Sequence, residues 1–359
     1  MDSANHLARK MATLAELGFQ RVDASPIPPV VEPVGEGRFK LTLARPSMGT
    51  LVSVTAIHSS RDLSQEAMGR AFLEMERVVD VLNRYDPASA VSYLNSEGAI
   101  RGPPPELSNV LGRALSYHRA SRGLFDPTVQ PLVDLIRSRR AGVPAVPSAT
   151  ALNEEIQGLM DLVDGGAVEF NDGSIRLPRS GMGVTLDGIA KGYVVDRIAE
   201  VLTEYGLTDY LVNAGGDIRS SGCREDGEAW QVAIQDPDKS TDFPDVIPLS
   251  GMAVATSGSY EIYYDPERTH HHIVSSLEGR SPQHSTSVSV VAPTALEADA
   301  LATSAFVMDP DRAVAFIDSM PRCACLIVDR SGRQLRSARW RSPGAHPGKG
   351  LRRVTGAGS

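Results

Sequence analysis

Apolar positions alternate with polar ones, or form short unbroken runs, at residues 39–43, 50–56, 210–214, 230–234, 253–258, 287–291 and 323–328. These are the patterns of half-buried and fully buried strands. Phe72, Met75, Val79 and Leu82 instead follow helical spacing, and predict a helix over 65–82 that Pro87 and its polar neighbours stop. Further helices are expected over 107–121, closed by Gly123, over 149–159 and over 295–306, with a short helix or turn at 89–95. Ile189, Tyr193, Ile198 and Val201 predict another, with Asp187 standing just ahead of it where an N-cap carboxylate would bond the first free amides. Val168 to Phe170 and Ile175 to Leu177, joined by Asn171-Asp172-Gly173-Ser174, read as a hairpin.

Prolines mark what lies between. Pro127 and Pro131 make 124–132 read as a loop, and Pro26 to Pro33 read as breaking any regular element after a short amphipathic helix over 7–17. Strands and helices mix in patches without a βαβ rhythm, so an α+β fold is expected, with mixed sheets and flanking helices. The domain reading is an extension over 1–37, one domain over 38–340 and a basic tail over 341–359.

Composition narrows the function. With 359 residues and 42% hydrophobic content, the chain can bury a large core. A formal net charge of -8 gives no electrostatic reason to expect nucleic acid. No run of about eighteen apolar residues is present, so no membrane span is expected. The start lacks a basic segment followed by an apolar core, and a cytoplasmic location is the expectation. Cys223, Cys323 and Cys325 are too few for a disulfide framework and read as core thiols. Neither a GxGxxG fingerprint after a strand nor a GxxxxGK[ST] loop occurs, which sets aside the usual nucleotide-binding folds.

Two stretches carry candidate chemistry. Gly183 to Tyr193 combines a glycine turn, a carboxylate and a helix start, which suits a ligand bearing phosphates. Asp299 and Thr303, four apart on a helix, project from one face and can share a hard cation. Around them, Met48 sits on a turn between strands, Gly215-Gly216 interrupts a strand, and His270-His271-His272 offers one imidazole for a specific proton transfer.

In order along the chain, Ser47-Met48-Gly49-Thr50, Tyr85 with Ser89 to Asn95, Phe125-Asp126-Pro127-Thr128-Val129, Leu186-Asp187-Gly188-Ile189-Ala190-Lys191-Gly192-Tyr193, Asn213-Ala214-Gly215-Gly216-Asp217, Ala255-Thr256-Ser257-Gly258, His272-Ile273 and Ala298 to Thr303 resemble the motifs of the FAD:protein FMN transferase (ApbE-like) family. The resemblance covers roughly 45–309 and implies an ApbE-like, T-fold-like α+β domain that takes FAD as substrate and uses magnesium. By that resemblance Met48, Tyr85, Leu124, Phe125, Asp126, Asp187, Lys191 and Tyr193 would contact FAD. Asp299, Thr303 and the Ala190 carbonyl would hold Mg2+, and His272 with Asp299 would be catalytic. The implied reaction moves FMN onto a Thr or Ser hydroxyl of an acceptor protein and releases AMP. Water in place of that hydroxyl would make the site an FAD pyrophosphatase, and loss of turnover would leave a flavin-binding protein. After His272 the chain departs from the family pattern, reading Ile273-Val274-Ser275-Ser276-Leu277-Glu278-Gly279 without an Asp-Pro pair or Thr. That loop is expected to be less rigid, with Glu278 repelling a diphosphate unless it turns outward. The loop after Leu132 also lacks the family's Trp-Gly continuation.

Overall fold

The computed structural model describes residues 27–138, 149–171, 173–237, 243–260, 263–264 and 269–341. The helix expected over 7–17 and nearly all of the basic tail lie outside them. In chain order the described elements are β1 (Val30–Pro33), β2 (Phe39–Ser47), β3 (Thr50–His58), α1 (Arg61–Leu82), α2 (Ala90–Glu97), β4 (Ala99–Arg101), α3 (Pro105–Ala120), α4 (Gln130–Ser138) and α5 (Ala149–Met160). They continue with β5 (Glu169–Asn171), β6 (Ser174–Arg176), α6 (Ala190–Glu204), β7 (Asp209–Ala214), β8 (Asp217–Ser221), β9 (Trp230–Ile234), β10 (Asp245–Leu249) and β11 (Ala253–Gly258). The last are β12 (Ser285–Ala292), α7 (Ala295–Phe306), α8 (Pro310–Ser319), β13 (Ala324–Asp329) and β14 (Gln334–Arg336).

Nine strands form one antiparallel sheet in the order β1-β2-β3-β7-β8-β11-β12-β13-β14. Strand alternation divides its side chains between two cores. Val212, Ala214, Ala253, Ala255, Val288, Val290, Cys325 and Ile327 face the core that α1, α6 and α7 cover. Ile218, Val254, Ala324 and Leu326 face the other side, where the β9-β10 ribbon and Trp340 cover them. Burial on both faces is why these strands read as nearly continuous apolar runs. The free thiols of Cys323 and Cys325 are buried in the helix-side core, and burial pushes each up to about 12.

Helix α7 is the centre of that core, with ten of its residues buried. Its alanines bring neighbouring backbones close, and its start is capped twice. The Thr294 hydroxyl accepts from the Glu297 N–H at 3.2 Å, while Asp196 on α6 accepts from the Ala295 and Leu296 N–H groups at 2.9 Å each. Arg219 on β8 donates to the same Asp196 at 2.7 Å, so one carboxylate ties α6, α7 and the sheet together.

The structure corrects three readings of local sequence. Val30–Pro33 pairs with β2, so part of the expected extension is an edge strand, a place where the missing proline N–H does no harm. Residues 127–138 form a short 3-10 turn followed by α4, because Pro131 sits in the first turn, where helices tolerate it. Asp187 is not the cap of α6. That helix begins at Ala190 after Ile189, with no side-chain cap bond, and Asp187 turns toward Arg84 instead.

Candidate active site

A cavity of about 940 Å³ opens between the helix layer and one end of the sheet. Its position follows from a split in the sheet. Strand β11 pairs with β8 at only two positions, Ala253 with Arg219 and Val254 with Ile218. Beyond them the strands part, and residues on both sides of the gap line the cavity: Gly215, Gly216 and Ile218 on one, Thr256, Ser257 and Gly258 on the other.

Of the residues singled out in the sequence, Met48, Tyr85, Leu124, Phe125, Asp126, Asp187, Ala190, Lys191, His272, Asp299 and Thr303 all line this cavity. Met48 and Gly49 are the two residues of the β2-β3 turn, both with positive φ (51° and 72°) as a two-residue hairpin turn demands. Methionine in that conformation is strained, and the turn aims it at the cavity. Tyr193 is not brought there. It is two residues beyond Lys191, about 200° around the helix. Its ring packs on the main core near Asn109, Glu106 and Arg197.

Asp299 and Thr303 share a face of α7, as their spacing predicts. Asp299 is buried and accepts from the Gly192 N–H at 3.0 Å, and the Thr303 hydroxyl lies 3.2 Å from that of Ser257. Gly188 closes over this pair: a Cβ there would stand 3.0 Å from Thr303 Oγ1 and 3.3 Å from the Phe125 ring. Beside them lies Asp217, wholly buried, with Lys191 Nζ 3.4 Å from its Oδ1. Burial first, and then the neighbouring acid, pushes the Asp299 carboxyl well above the carboxylate range; burial outweighs Lys191 in raising Asp217 as well. Burial and mutual repulsion oppose ionising both acids together beside a single ammonium, and an added cation would relieve that repulsion. That donor set, two acids and a hydroxyl with Ala190 lining the same cavity, suits a hard divalent cation such as magnesium.

A further part of the cavity wall is built on Arg84, which the sequence did not single out. Its side chain is 3% exposed and makes a four-partner fork: Nε donates to Asp187 Oδ2 at 2.7 Å, Nη1 to Gln130 Oε1 at 3.1 Å and to Asp134 Oδ1 at 3.4 Å, and Nη2 to the Tyr85 hydroxyl at 2.6 Å. Burial works against this charge, but the carboxylates of Asp187 and Asp134 outweigh it and hold it firmly protonated. Asp187 is fixed by one oxygen while about half of its side chain stays open to the cavity. The loop without Trp-Gly thus supplies Asp134, whose charge this arginine needs.

Asp126 lines the cavity with its carboxyl already engaged. Its Oδ1 accepts from the N–H and hydroxyl of Thr128, and its Oδ2 accepts from the Gly165 N–H, with His118 Nδ1 at 3.1 Å. Burial opposes its charge, yet these donors win and hold the carboxyl low. Both oxygens are occupied, so Asp126 shapes the 124–126 loop and offers no carboxylate to a ligand.

The histidine run also separates into roles. His271 is fully buried, stacks edge-on against Phe306 at 5.6 Å and contacts the Pro282 carbonyl through Nε2 at 3.0 Å, whereas His272 reaches the cavity. The loop that follows is tied down without proline. Ser276 Oγ donates to the Gly123 carbonyl at 2.6 Å, and Gly279 N–H to the Ser275 carbonyl at 2.9 Å. Glu278 is exposed and lies off the cavity, so the repulsion expected from it does not arise.

The sequence profile of the ApbE family matches residues 48–327. The chain belongs to the ApbE family. Among curated ApbE relatives, the FAD:protein FMN transferase of Haemophilus influenzae is 30% identical over 257 residues, 69% of this chain and 74% of that protein. The FAD:protein FMN transferase of Treponema pallidum is 30% identical over 310 residues, covering 78% and 82%. Among solved structures, the ApbE protein of Thermotoga maritima superposes with a TM-score of 0.73 at 29% identity, covering 83% of this chain and 97% of that one. The flavin transferase ApbE of Vibrio cholerae gives 0.71 at 25% identity, covering 86% and 98%. The fold is therefore the α+β fold of ApbE flavin transferases.

Proposed function

We propose that this protein is a magnesium-dependent FAD:protein FMN transferase that moves FMN from FAD to a Thr or Ser hydroxyl of an acceptor protein and releases AMP. The observation that carries the proposal is convergence. Segments around residues 48, 85, 125, 187, 272 and 299 meet at one cavity large enough for a dinucleotide, and one wall of it suits a divalent cation.

In the proposed reaction the acceptor oxygen attacks the FMN-side phosphorus, a new P–O bond forms, and the bond from that phosphorus to the bridging oxygen breaks as AMP leaves. Asp299, Thr303 and the Ala190 carbonyl would hold the ion. Magnesium bound there supplies neutralisation of the diphosphate charge. Lys191, kept beside Asp217, adds a cationic group to the same wall. His272 takes the proton of the incoming hydroxyl, a transfer suited to imidazole. Asp187 cannot face phosphate without repulsion. Its open oxygen suits N–H or O–H donors of the nucleoside or flavin parts, and Arg84 fixes its direction. Phe125 and Tyr85 offer apolar ring surface to the planar groups of FAD.

Incubation with FAD, magnesium and hydroxyl-bearing polypeptides tests this reading. Flavin covalently attached to polypeptide, with AMP released in equal amount, is the expected result. FMN and AMP with unlabelled polypeptide would identify a pyrophosphatase, and intact FAD retained on the protein would identify a binding protein.

A further inference from the structure

Strand β9 pairs with β10 on one side and, among the described residues, with no strand on the other. Trp230, Val232 and Ile234 are buried, while Gln231, Ala233 and Gln235 are exposed. The register decides where the peptide groups point. Ala233 stands opposite Val246, whose N–H donates to the Asp245 side chain at 2.9 Å and not across the ladder. Gln231 stands opposite Pro248, which has no N–H. Both are therefore non-hydrogen-bonded pairs, and the N–H and C=O of Gln231 and Ala233 point away from β10.

That outward edge borders the cavity, which Val232, Ala233, Ile234 and Gln235 line. The ribbon lies on the face of the sheet opposite α6 and α7. The gap between β8 and β11 joins this face to the wall that carries Asp299 and Thr303. In-line displacement at phosphorus needs the attacking oxygen and the leaving group on opposite sides. Arg84, Tyr85 and Asp187 line the same cavity as the β9 edge, so an acceptor on that edge would meet a dinucleotide held by them.

We propose that the open edge of β9 is the docking strand for the acceptor polypeptide, which pairs beside Gln231–Gln235 and presents its hydroxyl through the gap between β8 and β11. The proposal rests on the transferase reading above. A row of outward N–H and C=O groups at every second residue matches the repeat of an extended polypeptide backbone and of no small metabolite. Pairing through main-chain groups reads little of the side chains, so one edge can serve acceptors of differing sequence.

The test uses the full protein with FAD, magnesium and a library of short peptides that each carry one threonine. Ala233→Pro removes an outward N–H without breaking the β9-β10 ladder, because the lost donor faces the open edge. It is expected to raise the peptide KM about fivefold to tenfold, the loss of one hydrogen bond, and to raise it more than the FAD KM. Val246→Pro makes the matching change on the far edge of β10 and leaves the peptide KM unchanged. Thermal melts report whether each variant folds. Amide exchange on the unmutated protein gives a reading free of any folding defect: the Ala233 amide should slow when peptide is added. An unchanged peptide KM in folded Ala233→Pro, or an Ala233 amide that saturating peptide does not protect, overturns the docking strand while the transferase reading stands. An unmutated protein that labels no peptide overturns both.

Discussion

Gly192→Ala sets two physical effects against each other at the crossing of α6 and α7. Gly192 lies in the first turn of α6, so by helix propensity alone alanine would stabilise the protein by about 1 kcal/mol. The added Cβ would stand 2.6 Å from the Ala295 carbonyl carbon and 2.8 Å from Leu296 Cα. These are backbone atoms with no flexible end to move aside. Restoring ordinary contact means separating the helices by roughly 1 Å, and overpacking of this kind costs about 3 kcal/mol at the upper end of its usual range. The net expectation is a loss of about 2 kcal/mol, or roughly a 3 °C fall in Tm for a chain of this size. The same shift pulls the Gly192 N–H from Asp299 Oδ2, now 3.0 Å away, and parts Ala190 and Lys191 from Asp299 and Thr303. Misplacement by about 1 Å at such a site costs on the order of a hundredfold in turnover. Thermal denaturation and a steady-state FAD turnover assay check both halves. A Gly192→Ala protein as stable and as active as the parent would refute the close-crossing argument.

Arg84→Met should lower stability by about 1–2 kcal/mol and raise the KM for FAD more than it lowers kcat, since it leaves Asp187 unoriented and Asp134 without its partner. Arg84→Lys should restore little, because an ammonium cannot reproduce the planar fork; steady-state kinetics of the two variants decide it. His271 supplies a pH prediction. Burial lowers its pKa to about 4, so it is neutral in the folded chain. Its contribution is complete above the unfolded value of about 6.5, and roughly 3 kcal/mol is lost as pH falls from there toward 4. Denaturant titrations at a series of pH values should show a shallower acid loss in His271→Phe than in the parent; equal slopes would exclude the neutral buried imidazole.

Much of the fold could be read from periodicity. The expected hairpin at 168–177 forms with Asn171 opposite Ser174, and the strands at 39–43, 50–56, 210–214 and 253–258 lie within one sheet. What could not be read depends on contacts distant in sequence. Arg84 and Asp187 are 103 positions apart, and an arginine after a helix end gives no local sign that it will be buried under two acids. Asp187 looked like a cap because Asp before an apolar-periodic run usually is one, but here the long-range pull of Arg84 prevails. Asp217 was visible within its glycine motif, yet its partnership with Lys191 needs the β7-β8 turn to fold against α6. Tyr193 failed for a simpler reason, since adjacency in a motif is not adjacency on a helix. Pro310 at the start of α8, with Asp309 as its cap, was a readable helix signal that the apolar pattern around it obscured.

By this reading the wall formed by Asp299, Thr303 and Ala190 holds a divalent ion and FAD together. Calorimetric titration of FAD into the protein, with magnesium and again with chelator, tests it most directly. The parent should bind FAD about tenfold or more tightly with magnesium, and Asp299→Asn should lose that difference while still folding. FAD affinity indifferent to magnesium in the parent, or a full magnesium effect retained in Asp299→Asn, would exclude a shared ion and FAD site at Asp299.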